Sequence, residues 1–152
     1  MIGRLVQKAD FERALATTAQ SRTAHFAVHH VAAGPTAPHR PVNAASSTEL
    51  STAPEPICPQ PVDDLLSDHW IGCVVPKRHA RRAVTRTLLK RQIRGVFDEH
   101  ACRLPAGQWL VRLRQPFSTV KFLSASSAAL RQAARLELHA LLSRAATATT
   151  RP

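Results

Sequence analysis

Between residues 81 and 100 the apolar positions recur with a helical period. Leu89, Ile93 and Phe97 stand four apart, with Val96 beside them, so one ridge of a helix is apolar. The neighbouring ridge, Arg82, Arg86, Lys90 and Arg94, is cationic at the same spacing. At a 1.5 Å rise these side chains stand ~6 Å apart along ~18 Å of helix, comparable to successive phosphates on a nucleic-acid strand. The pattern predicts a helix with one ridge on a core and one offered to an anion.

The rest of the chain supplies elements to hold that helix. Phe11, Ala14 and Leu15 share one helical face and predict a short helix over 8–20, with Asp10 suiting its positive end. Residues 24–32 alternate as a strand, with Phe26 and Val28 on one side and His25, Ala27 and His29 on the other. Residues 69–75 form a short apolar run ended by Pro76, which reads as a buried strand. Trp109, Val111 and Leu113 alternate with Leu110, Arg112 and Arg114 in a strand over 108–114. Leu130, Ala134, Leu138, Leu141 and Ala145 form the seam of a last helix over 126–145, with Ser126 or Ser127 as its cap and a frayed tail after it. The expected fold class is α+β: a small two-layer α/β sandwich, its sheet of three to four strands, with a basic central helix and flanking N- and C-terminal helices.

Residues 34–66 break every period. Seven of the eleven prolines lie there, with Ala, Ser and Thr between them. Proline removes backbone donors, and little apolar surface is present to offset ordering entropy. The chain reads as a single domain, 1–150, interrupted by a disordered Pro-rich insertion at 34–66 that a surface loop tolerates.

Charge sharpens the picture. The formal net charge is +11 over 152 residues, and the insert is its acidic part, with Arg40 against Glu49, Glu55, Asp63 and Asp64. Such an excess implies a polyanionic partner, nucleic acid before an anionic membrane surface. The stretch Lys77–Phe97 carries Lys77, Arg78, Arg81, Arg82, Arg86, Lys90, Arg91 and Arg94 and no acid. No carboxylate is interleaved among them, the first being Asp98 beyond the stretch, so the row calls for an anion from outside. Cys58, Cys73 and Cys102 show no zinc or CxxC spacing, which suggests free thiols in a reducing cytoplasm. The N-terminus lacks the apolar core of a signal peptide, and no apolar run approaches the ~18–20 residues of a membrane span. The acids outside the insert (Asp10, Glu12, Asp68, Asp98, Glu99, Glu137) form no metal-binding motif, which argues against a protein-only nuclease.

The run Ala83-Val84-Thr85-Arg86-Thr87-Leu88-Leu89-Lys90-Arg91-Gln92-Ile93-Arg94, after Val75-Pro76-Lys77-Arg78, resembles the signature of the protein subunit of bacterial ribonuclease P. Arg4-Leu5, Asp10-Phe11, Ile71–Val75 and Gly107–Val111 match other parts of that family in order, so the resemblance covers about 4–32 and 68–145. The sequence departs at Thr87, where the family has Asn, at Leu88 for an Arg, and at Gly95 for a Glu. The resemblance implies a left-handed βαβ crossover and a partner role beside a catalytic RNA. That RNA, with Mg²⁺ bound mainly by itself, removes the 5′ leader of precursor tRNA, and the protein contributes no catalytic side chain and no protein-bound cofactor. It implies RNA binding by Lys77, Arg78, Arg81, Arg82, Arg86, Thr87, Lys90, Arg91 and Arg94, and a leader-binding cleft of Phe11, Leu15, Phe26 and His29 between the first helix and the sheet. Neither a membrane nor a small-molecule substrate is implied. A ribosome-associated structural RNA-binding protein is the alternative.

Overall fold

Alternation and helical period produce the main elements close to where they were expected. The computed structural model describes residues 2–36, 69–124 and 127–149. In chain order these are β1 (Gly3–Arg4), α1 (Lys8–Ala16), β2 (Ser21–Arg22), β3 (Phe26–Val31), β4 (His69–Val74), α2 (Ala83–His100), a 3₁₀ turn (Ala101–Arg103), β5 (Gly107–Leu113) and α3 (Ala128–Thr149). They make one five-stranded sheet in the order β1-β4-β5-β3-β2. β4 lies parallel to both β1 and β5, whereas β3 runs antiparallel to β5 and to β2. The expected three to four strands become five because β1 and β2 are two residues each, too short to carry a period.

Side-chain alternation sends the sheet's two faces to different partners. Ile71, Trp109, Val111, Leu113, Phe26 and Val28 point toward α2 and α3 and form the main core with Leu89, Ile93 and Phe97. The expected ridge of α2 is wholly buried there, as is the expected seam of α3 from Leu130 to Ala145. Ser127 Oγ accepts the Leu130 N–H at 3.1 Å and caps α3, and the helix continues to Thr149 through the expected frayed end. Gly72 and Leu110 point the other way, toward α1. The expected two-layer sandwich thus has a short helix on its second face. There a Cβ on Gly72 would stand 3.0 Å from Phe11 Cε1 and 2.8 Å from Leu110 Cδ1.

The start of the expected insertion is ordered. Asp10, fully buried, pairs with Arg13 at 2.5 Å and accepts bonds from Thr36 N at 3.0 Å and Thr36 Oγ1 at 2.7 Å. Gln108 Nε2 donates to Gly34 O at 2.5 Å. Residues 34–36 therefore belong to the domain, and Asp10 serves this clamp rather than only the helix dipole. The rest of the insertion, with Cys58, lies outside the described residues. Among the described residues Cys73 and Cys102 are free thiols, and no helix is long and apolar enough to cross a membrane.

Candidate nucleic-acid interface

Pro76 ends β4, and residues 77–82 turn the chain back before α2 begins at Ala83. His79 N and Ala80 N both donate to Pro76 O at 3.1 Å, which makes the turn tight. Arg82 is the residue before the helix, in extended conformation (φ −79°, ψ 133°), with no side-chain cap. It therefore leaves the straight row expected of Arg82, Arg86, Lys90 and Arg94.

Arg86 leaves the row for a different reason. It is half-buried, and its Nη1 donates to Ala80 O at 2.9 Å and Arg81 O at 2.7 Å. Bonds from a charged donor to two carbonyls fix the turn against the helix. The expected phosphate contact is thus first a brace for the arginines before it.

The other bases divide between two flanks of α2. Lys90 and Arg94 reach over Cys73 toward Arg4 of β1. Burial pushes the Cys73 thiol up, while Arg94, Lys90 and Arg4 pull it down, with Arg94 also hydrogen-bonding the sulfur. Thr87 and Arg91 line a hollow on the opposite flank with Val84, Gln92 and Arg131. Lys77, Arg78, Arg81 and Arg82 are exposed on the turn. Among the described residues none of these cations makes an ion pair; the pairs that form join Lys8–Glu12, Arg13–Asp10, His25–Glu137, Arg135–Glu99 and His139–Glu99. Arg4 and Arg131 were not in the expected set. They come from β1 and α3, and only the folded chain brings them beside α2.

The expected cleft is partly wrong. Phe26 is fully buried on the α2/α3 face, paired in register with Leu113, and cannot line a gap under α1. His29 does lie on the α1 face, but it is 7% exposed and its Nδ1 bonds Thr17 O at 2.9 Å, tying down the chain after α1. Phe11 is half-buried over Gly72, and Leu15 is 38% exposed. Val74 and Arg112, paired in register and half-buried, share this face of the sheet and were not foreseen. Arg22 joins them through Ala27, its partner in register and that of Arg112, so the open face combines apolar surface with guanidinium groups, chemistry suited to a base and its phosphate.

The fold and sites so described have counterparts. A family model described as Ribonuclease P matches residues 3–145. A ribonuclease P protein component of Bordetella parapertussis is 42% identical over 86 residues, covering 57% of this chain and 66% of the relative. One from Paraburkholderia xenovorans is 38% identical over 81 residues, 53% of this chain and 58% of the relative. In these alignments the chain spans less than two thirds of the curated relatives' length. The solved structure of the Staphylococcus aureus RNase P protein matches with a TM-score of 0.54 at 20% identity, covering 92% of both chains, and so shares the fold. With nearly its whole length matched by the family model, the chain belongs to the Ribonuclease P family.

Proposed function

We propose that this chain is the protein subunit of a bacterial ribonuclease P. It binds the catalytic RNA through the turn 77–82 and the flanks of α2, and guides the single-stranded 5′ leader of precursor tRNA along the α1 face of the sheet. The observation that carries the reading is the set of exposed bases on one turn and helix, free of ion pairs among the described residues, beside a rigid core. Like charges held this close favour a polyanion over solvent. The leader role rests on Phe11, Leu15, Val74 and Arg112.

The RNA performs the hydrolysis, with Mg²⁺ supplying the chemistry. Among the described residues no group of three His, Cys, Asp or Glu side chains is placed to hold a metal ion. The test is cleavage of a precursor tRNA by a bacterial ribonuclease P RNA at low Mg²⁺. Addition of this chain should restore cleavage. Tight RNA binding without restored cleavage would favour a ribosome-associated RNA-binding protein.

The βαβ crossover from β4 through α2 to β5 is left-handed in this reading, and its support is stereochemical. The Ile71 side chain lies on the α2 face, and its carbonyl accepts the Leu5 N–H from the β1 side at 3.1 Å. Viewed from α2 with β4 running upward, an L-residue pointing at the viewer turns its N–H and C=O to the right. β1 is then on the right and β5 on the left, and a crossover passing in front toward the left is left-handed, against the usual rule. The site of action is the cytoplasm, consistent with the free thiols of Cys73 and Cys102. The insertion beyond Thr36 is dispensable in this reading: replacing residues 38–66 with a short linker should leave cleavage unchanged, and lost activity would give the segment a role.

A further inference from the structure

One cavity adjoins the turn just assigned to RNA and extends beyond it to the segment before α3. A groove of about 400 Å³ runs between the turn 77–82 and the segment 116–124. Its volume falls within the roughly 300–1,000 Å³ typical of small-ligand sites. One wall carries Arg78, Arg81 and Arg82; the other carries Phe117, Phe122 and Leu123, and the lining includes no carboxylate. Leu123 is 86% exposed, an apolar side chain left uncovered at the rim.

Both walls are braced from behind. Arg86 Nη1 holds the carbonyls of Ala80 and Arg81, which fixes the arginine side. On the aromatic side, Glu137 Oε1 accepts the His25 backbone N–H at 2.6 Å and its Oε2 pairs with Nδ1 at 2.8 Å. The His25 ring stacks on Phe117 at 4.0 Å with 10° between planes, and Phe117 meets Phe122 edge-on at 5.8 Å. A preordered aromatic wall loses little entropy on binding.

We propose that this groove seats one unstacked base of the catalytic RNA, with its ring against Phe122 and Leu123 and its flanking phosphates on Arg78, Arg81 and Arg82. The proposal rests on the reading of this chain as an RNA-binding subunit and names a subsite within that interface. Charge complementarity selects an anion, and the aromatic wall selects one that carries a planar apolar face. A paired duplex offers phosphates but keeps its base faces stacked, and an acidic peptide offers carboxylates without an obligatory ring. An extruded nucleotide offers both.

The test uses the full chain bound to a bacterial ribonuclease P RNA, with Kd measured across a salt series. Phe122→Ala should raise Kd about tenfold, within the range of base–aromatic stacking, and leave the salt slope unchanged because no charge is lost. Phe122→Leu keeps an apolar side chain but removes the π-face; it should show most of that loss with an unshifted thermal melt. Arg81→Ala should instead reduce the log–log salt slope by roughly 0.7–0.9, one phosphate. Wild-type affinity for Phe122→Leu, or an unchanged slope for Arg81→Ala, overturns the subsite while wild-type cleavage support keeps the subunit reading intact. Failure of the wild-type chain to bind the RNA or restore cleavage overturns both.

Discussion

The two halves of α2 use charge in opposite ways. From the turn through Arg94 the helix carries bases that no carboxylate answers. Toward its C-terminal end α2 is answered by α3: Glu99 pairs with Arg135 and, at 3.3 Å, with His139, whose Nδ1 meets His100 Nε2 at 2.9 Å. Between the halves the ridge Leu89, Ile93 and Phe97 runs without interruption into the core. A single helix thus has an end devoted to holding the fold and an end free to hold something else. Arg86 belongs to neither group, since it spends a cationic side chain on its own backbone. Counting bases therefore overstates the binding surface, and the relevant count is of cations left without protein partners.

The largest effect should come from breaking the ridge that serves both halves. Ile93→Ala should lower stability by about 2–5 kcal/mol in a urea melt, because its side chain is fully buried and leaves a cavity behind. RNA binding should then fall only as far as the folded fraction falls.

Next, Lys90, Arg91 and Arg94 changed together to Ala should weaken RNA binding and reduce the log–log salt slope by about two to three phosphates. The melt should move little, since none of the three is ion-paired among the described residues and the bond lost is that of Arg94 to the Cys73 sulfur. A large loss of stability would mean these bases belong to the structural half.

The smallest effect should appear at the other end of the helix. Burial, the neighbouring His139 and Arg103 lower the pKa of His100 below its ordinary value of 6.5, and together outweigh the upward pull of Glu99. The folded state thus prefers neutral His100. Its contribution to stability is complete above about 6.5 and declines as pH falls from there through the lowered folded value, where the unfolded chain binds the extra proton. His100→Gln should flatten this part of the pH–stability curve. An unaltered curve would assign the acid sensitivity to other groups, such as His30, whose pKa is also lowered, chiefly by burial.

What could be read from the chain was what has a period. Leu89, Ile93, Phe97 and the α3 seam each repeat over several turns and lie where their spacing puts them. β1 and β2 have two residues each and no repeat to detect. The assignment of Phe26 failed although its alternation was visible. Phe26 and His29 differ by three positions in a strand, so they must face opposite ways, and the family resemblance had joined them in one cleft. The brace made by Arg86 was illegible for another reason. Its carbonyl partners come into reach only when Pro76 and the two bonds behind it close the turn. The clamp of Asp10 on Thr36 likewise needs the chain to return to α1 across a separation of 26 positions.

Gly72 sets a limit on how the surface under α1 can evolve. A methyl carbon there would stand 2.8 Å from Leu110 Cδ1 and 3.0 Å from Leu5 Cδ1 and Phe11 Cε1, so these side-chain ends would have to give way. The missing side chain at position 72 thus lets Phe11 of α1 rest directly on the sheet. A larger residue at position 72 therefore calls for a shift of Leu110, Leu5 or Phe11, which couples the surface proposed for the tRNA leader to the packing beneath it.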